Sequence, residues 1–141
     1  MITAVIKGGL GNQLFQYASA YSLSKRLNQE LALDTTFYPT QNLRGYKLDK
    51  LSIDSNSTSL ASKLSLEMRL YKNRYINQII RRSKIKKIHF LNGAVYLVEN
   101  AGSFVPEFFN IKDDDIFMNG YFQSERYFKD YREEILKAYT P

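Results

Sequence analysis

Ile2-Thr3-Ala4-Val5-Ile6-Lys7-Gly8-Gly9-Leu10-Gly11-Asn12-Gln13-Leu14-Phe15-Gln16-Tyr17-Ala18 passes from an apolar, β-branched stretch through three glycines into a helical pattern. Residues 2–6 have the continuous apolar character of a strand buried on both faces of a parallel sheet. Leu14, Ala18 and Tyr21, with Leu10, Tyr17 and Leu27 alongside, then recur at helical spacing to about Asn28. Gly8, Gly9 and Gly11 carry no Cβ, so the turn between strand and helix is free to take positive φ and to let a ligand approach its backbone. Such a turn leaves N–H groups unpaired at the positive end of a helix dipole, where a phosphate or another anion can sit. A tight connection with no ligand is the competing reading.

A dinucleotide fingerprint is the obvious version of an anion site, because Asp34 closes the next apolar run, Leu31-Ala32-Leu33, where a ribose-binding acid would stand. Leu14 occupies the place of the third glycine, however, and the helix opens on the polar pair Asn12-Gln13. Both amides donate and accept, which suits a hydroxyl-rich ligand or a cap on the turn itself.

The arrangement repeats near the other end of the chain. Ile116-Phe117-Met118-Asn119 reads as a buried strand ending at Gly120, and Ser124 caps a following helix with Glu125 in its first turn and Phe128, Tyr131 and Ile135 on its apolar face. Ligands of open parallel α/β sheets bind beyond the carboxyl ends of strands, so both segments are expected to face one cleft. Gln123, Ser124 and Glu125 are the candidates for sugar contact, while Tyr121, Phe122, Tyr127 and Phe128 are read mainly as packing residues.

With these residues in place, a resemblance becomes specific. Gly8 to Ala18, GGLGNQLFQYA, resembles the N-terminal signature of the bacterial type of α-1,2-fucosyltransferase of glycosyltransferase family 11, and Gly120-Tyr121-Phe122-Gln123-Ser124-Glu125-Arg126-Tyr127-Phe128 resembles that family's later G-Y-[FW]-Q-S-E-x-Y-F block. Arg44-Gly45-Tyr46-Lys47-Leu48 and Leu51-Ser52-Ile53 suit the pattern less distinctively. The resemblance implies an α/β fold, the Rossmann-like N-terminal half of a GT-B glycosyltransferase with a mostly parallel sheet flanked by helices. It implies transfer of L-fucose from GDP-fucose to the 2-hydroxyl of a galactoside glycan acceptor, with inversion and without a metal or cofactor. The implied substrate-binding residues are Gly9, Gly11, Asn12, Gln13, Gln123, Ser124 and Glu125. Glu125 and Asp34 are at most candidates for proton chemistry, and no catalytic base is assigned.

The family's basic donor-binding motif, H-x-R-[RK]-x-D-Y, has no match in these residues. Arg81-Arg82 precedes the second block and is followed by Ser83-Lys84, and His89 is followed by Phe90-Leu91-Asn92. The expectation is therefore a single domain over residues 1–141, the first part of a two-domain enzyme, inactive alone and prone to self-association through the face meant for its other half. A nucleotide-cofactor binding domain and a noncatalytic interaction module remain the alternatives.

Composition excludes several other chemistries. A chain of 141 residues, 44% hydrophobic and 24% charged, suits one soluble domain. The absence of cysteine removes disulfide scaffolds, thiolate metal sites and cysteine nucleophiles, and a single histidine makes a His-rich zinc site a poor reading. No stretch approaches the ~20 apolar residues of a membrane span, and the first residues lack a signal-peptide layout, so a cytoplasmic protein is expected.

The charge of +6 is concentrated between Lys63 and Lys87. There Lys63, Arg69, Lys72, Arg74, Arg81, Arg82, Lys84, Lys86 and Lys87 face one acid, Glu67, while Leu60, Leu64, Met68, Tyr71, Tyr75 and Ile79 mark the apolar side of a long amphipathic helix. A packed helix with a solvated cationic face is the first reading, and peripheral contact with an anionic membrane is the second. No nucleic acid partner is expected, since no RNA- or DNA-binding motif accompanies the charge. Residues 87–91 and 94–98 flank Asn92-Gly93 as a hairpin, Glu107-Phe108-Phe109 forms a short turn after Pro106, and Asp113-Asp114-Asp115 reads as a solvated turn rather than a metal site.

Overall fold

In a computed structural model of the chain, the described residues are 1–35, 47–48, 51, 56–57, 85–89, 95–99, 104–113 and 115–140. They form a six-stranded sheet in the order β3-β2-β1-β6-β5-β4. The strands are β1 (Ile2–Val5), β2 (Leu31–Asp34), β3 (Asn56–Ser57), β4 (Ile85–His89), β5 (Val95–Glu99) and β6 (Ile116–Asn119). All neighbours pair in parallel except β4, which runs antiparallel to β5 at the edge. The fold is α/β and Rossmann-like, and the strands expected at its centre, near residues 2–6, 31–34 and 116–119, lie there as neighbours.

Every residue of β1, β5 and β6 is buried, as their mainly apolar character leads one to expect, and the burial takes in Thr3, Glu99 and Asn119 as well. Ile2, Ala4, Leu33, Leu97, Ile116 and Met118 belong to one core with Tyr17, Ala20 and Leu23 of helix α1 (Leu10–Arg26). The period of two then puts Thr3, Val5, Asp34, Tyr96, Phe117 and Asn119 on the other side of the sheet.

Helix α1 differs from the expected single apolar stripe. Gln13, Gln16, Ser19, Ser22 and Ser24 are buried along with Tyr17, Ala18 and Leu23, whereas Leu10 is 42% exposed. The sheet covers one side of α1 and the carboxyl-terminal segment covers another. Tyr17 stacks near Tyr139, the Tyr21 hydroxyl donates to Glu134 Oε2 at 2.6 Å, and the Ser22 hydroxyl donates to the Tyr127 carbonyl at 2.7 Å. Small polar residues suit this position because a hydroxyl can satisfy a passing carbonyl where a larger apolar group would clash.

The helix expected after Ser124 is delayed. Glu125–Tyr127 and Lys129–Tyr131 are two 3-10 turns, and the α-helix, α2, covers only Arg132–Ala138. Tight turns let Tyr127 enter the core beside Phe108 and Phe122, with ring centroids at 4.9 and 5.5 Å, before the chain turns back along α1. A 3-10 turn at Pro106–Asn110 replaces the expected short turn with a slightly longer one. Its Phe108 carbonyl accepts from Arg26 at 2.9 Å, and the guanidinium lies over the Phe108 and Phe109 rings.

The two segments expected to pair as a hairpin do pair antiparallel, with β4 two residues earlier and β5 one residue later than expected. The turn expected at Asn92-Gly93, residues 44–46 and 52–53, and the amphipathic helix expected over residues 60–79 lie outside the described residues. Among the described residues, no helix is long and apolar enough to cross a membrane, and no group of three potential metal ligands occurs.

Tyr96 on β5 supplies a pH-dependent feature. Burial pushes its hydroxyl up to about 12 and the Asp34 charge adds to this, while a hydrogen bond donated by the Asn119 amide opposes it. The folded state therefore holds its proton above pH ~10 while the unfolded state releases it. Stability is complete below that point and falls as pH climbs through about 12. Tyr96→Phe should cost about 1 kcal/mol near neutrality, by orphaning the Asn119 amide. Its disadvantage should shrink and then reverse in denaturant titrations repeated up to pH ~12. A gap that stays constant over that range would refute the role of Tyr96.

Candidate functional site

The carboxyl ends of β1 and β6 are adjacent, with Ala4 opposite Met118, and each strand runs directly into one of the two motifs. Sheet order thus joins segments more than a hundred residues apart, as the Gln123 to Asn12 separation of 111 shows.

On the β1 side only Gly8 takes a positive φ, +80°; a Cβ there would lie 2.8 Å from Asn12 Nδ2. The expectation that all three glycines serve backbone conformation is corrected for the other two. Gly9 is extended (φ −80°, ψ 178°) and begins α1 without a side-chain cap. A Cβ on Gly9 or Gly11 would meet nothing within 4 Å, so these glycines mark the open side of the turn. No acidic side chain stands in the first turn of α1, so the helix itself places no carboxylate at its positive dipole end. Gly11→Ala, in a helical position with free space, should therefore raise stability by about 0.5–1 kcal/mol, while Gly8→Ala should lower it. Denaturant midpoints of the two variants shifting the same way would contradict this assignment.

Gln13 lies inside the turn, as expected of an amide that caps it. Its side chain is buried, with Nε2 donating to the Gly8 carbonyl at 3.0 Å and Oε1 accepting from the Lys47 N–H at 2.9 Å. One helical turn later, Gln16 Oε1 accepts from the Lys7 N–H at 3.0 Å. The two glutamines brace the glycine turn from within, which fixes Asn12 on its outer side.

On the β6 side, Gly120 is enclosed by strand β5 and Phe122. Phe122 has φ +48°, uncommon for a bulky side chain, and is held there from two directions. Its N–H donates to the buried Glu99 Oε2 at 2.9 Å, and its ring packs among Phe108 and Tyr127. With Phe122 turned inward, Tyr121 and Gln123 are exposed on either side of it. Gln123 Nε2 donates to Asn12 Oδ1 at 2.5 Å, and this bond joins the two motifs.

Ser124 uses its hydroxyl to accept from the Arg126 N–H at 3.3 Å, capping the first 3-10 turn. Glu125 is exposed and lies 3.6 Å from the equally exposed Arg132, a pairing of little energetic weight. Asp34 is buried at the end of β2, on the sheet face away from α1, where its charge acts on Tyr96. The structure therefore brings Asn12 and Gln123 into contact next to the open Gly9 and Gly11 positions, with Gln13 buried under the turn and Ser124 and Glu125 following Gln123 in the second motif. Glu99 was not legible as part of this site. The only sequence signal is an acid closing the apolar run Val95-Tyr96-Leu97-Val98.

No family model matches the chain, and no solved structure does. Over its whole length the chain is 35% identical to an alpha-1,2-colitosyltransferase of Escherichia coli, and it spans 45% of that protein's length. This similarity, carried across every residue of the chain, supports its placement in a glycosyltransferase family.

Proposed function

We propose that the chain forms one Rossmann-like half of a GT-B-type α-1,2-glycosyltransferase, and that it contributes the cleft wall built from both motifs. The reading assigns L-fucose transfer from GDP-fucose to the 2-hydroxyl of a galactoside, with inversion. The observation that carries it is the Asn12–Gln123 hydrogen bond, which unites two separately recognisable motifs at adjacent strand ends. Hydroxyl-rich ligands need short polar groups at fixed positions, and these two amides are fixed by one another and by the braced turns behind them. The uncapped start of α1 suits the charge that develops on a departing diphosphate or on a reacting sugar oxygen. A colitosyl donor is the second reading, favoured by the Escherichia coli relative. Peripheral contact with an anionic membrane through residues 63–87, on the cytoplasmic side, belongs to the same proposal.

The test is a chimaera in which this chain replaces the matching stretch of the Escherichia coli relative. It is assayed with GDP-fucose, nucleotide-activated colitose and a galactoside, with the linkage read by NMR. A 2-linked product is expected from the chimaera, and none from the 141 residues alone, which carry no match to the basic donor-binding motif. A folded chimaera that makes no product, or tight NAD binding by the chain, would overturn the proposal.

A further inference from the structure

We infer that Tyr121 is a stacking platform for the apolar face of a pyranose ring. The inference rests on the glycosyltransferase reading above and names the part of the substrate that this site would grip.

Among the aromatic residues of the second motif, Tyr121 alone stands out in solvent. It is 42% exposed, whereas Phe122 and Tyr127 are each 1% exposed and Phe128 is half-buried against Phe15. The contrast follows from the backbone: positive φ at Phe122, secured by Glu99, sends that ring into the core and leaves its predecessor outside. An exposed aromatic ring beside a polar cluster offers a ligand an apolar surface next to hydrogen-bonding groups.

The ring is also held in place. Its Cε1 atom lies 3.4 Å from where a Cβ on Gly8 would project, so the missing side chain of that glycine lets the ring lie close over the turn. Lys7 Nζ lies over the ring, 5.1 Å from its centroid, a cation–π contact that favours this placement and adds local positive charge. Tyr121 and Gln123 thus both reach across to the first motif, one to Gly8 and Lys7 and the other to Asn12. A flat apolar ring beside two amides matches a hexopyranose, whose C–H face stacks while its hydroxyls hydrogen-bond at the edge. Leu10, also exposed, adds apolar surface at the start of α1.

Saturation-transfer NMR on the chain tests this with methyl β-galactoside, GDP-fucose and GDP titrated separately into wild type, Tyr121→Phe and Tyr121→Ala. The expected result is transfer to ring C–H protons on one face of a sugar, with affinity about tenfold weaker in Tyr121→Ala and nearly unchanged in Tyr121→Phe. Galactoside or GDP-fucose as the responding ligand identifies the acceptor or the donor sugar as the occupant. Equal affinity in all three proteins, saturation confined to the guanine, or no sugar binding by wild type would overturn the inference. Sugar binding that depends on Tyr121 without transfer by the chimaera removes the transferase reading alone; transfer with an unchanged KM in Tyr121→Ala removes the platform alone.

Discussion

Gly120→Ala is expected to destabilise the fold by about 3 kcal/mol, lowering the melting temperature by about 10 °C. An added Cβ would stand 2.7 Å from the Glu99 carbonyl oxygen, 2.8 Å from Glu99 Cβ and 3.0 Å from Phe122 Cε2. The first of these atoms is backbone in strand β5, which is paired on both sides and has no rotamer to change. Relief has to come from moving β5 or the Gly120 turn, and either movement breaks the Phe122 N–H bond to Glu99 Oε2. The strained φ of Phe122 would then lose its support, so the damage should be felt at the site as well as in the core. Circular dichroism melts of the variant and of Gly9→Ala, where the same methyl meets open space, give the contrast. A Gly120→Ala melt matching wild type would mean that the turn is looser than this packing allows.

Asn12→Ala should leave the fold intact and reduce transfer by the chimaera by about a hundredfold. Asn12 is half-buried at the start of α1, outside the hydrophobic core, and bonds to Gln123, so truncation opens no cavity in that core. What it removes is the link that holds Gln123, and with it the geometry of both amides toward a substrate. Losses of this size are ordinary where a positioned polar group is removed from a reacting centre. The readout is kcat/KM beside a melting curve. Near-normal turnover with an unchanged melt would remove Asn12 from the site.

The strand–glycine–helix unit was legible because it is local: an apolar run, glycines and helical periodicity lie in consecutive residues, and Ile2–Val5 and Leu10–Arg26 form there. The second motif was legible as a strand end for the same reason. What could not be read was which glycine needs its φ, because Gly8, Gly9 and Gly11 are alike in sequence and differ only in what surrounds them. The Gln13 amide suits a sugar or a cap on the turn, and its sequence neighbours do not choose between the two. Its partner Lys47 comes beside it only in the folded chain. Tyr121 and Phe122 are neighbours of similar chemistry, and their opposite fates are decided by Glu99, more than twenty residues away, as the separation of 23 shows. The burial of α1 on a second side was hidden likewise, since the Tyr21–Glu134 and Ser22–Tyr127 contacts come from the far end of the chain.

That the two motifs act as one site is tested most directly by a double-mutant cycle on transfer by the chimaera, using Asn12→Ala, Gln123→Ala and the pair. Each single substitution should lower kcat/KM, and the pair should be no worse than the weaker single variant by more than about threefold, because each change breaks the same bond. Losses that multiply, or a Gln123→Ala variant as active as its parent, would contradict a site shared between the two motifs.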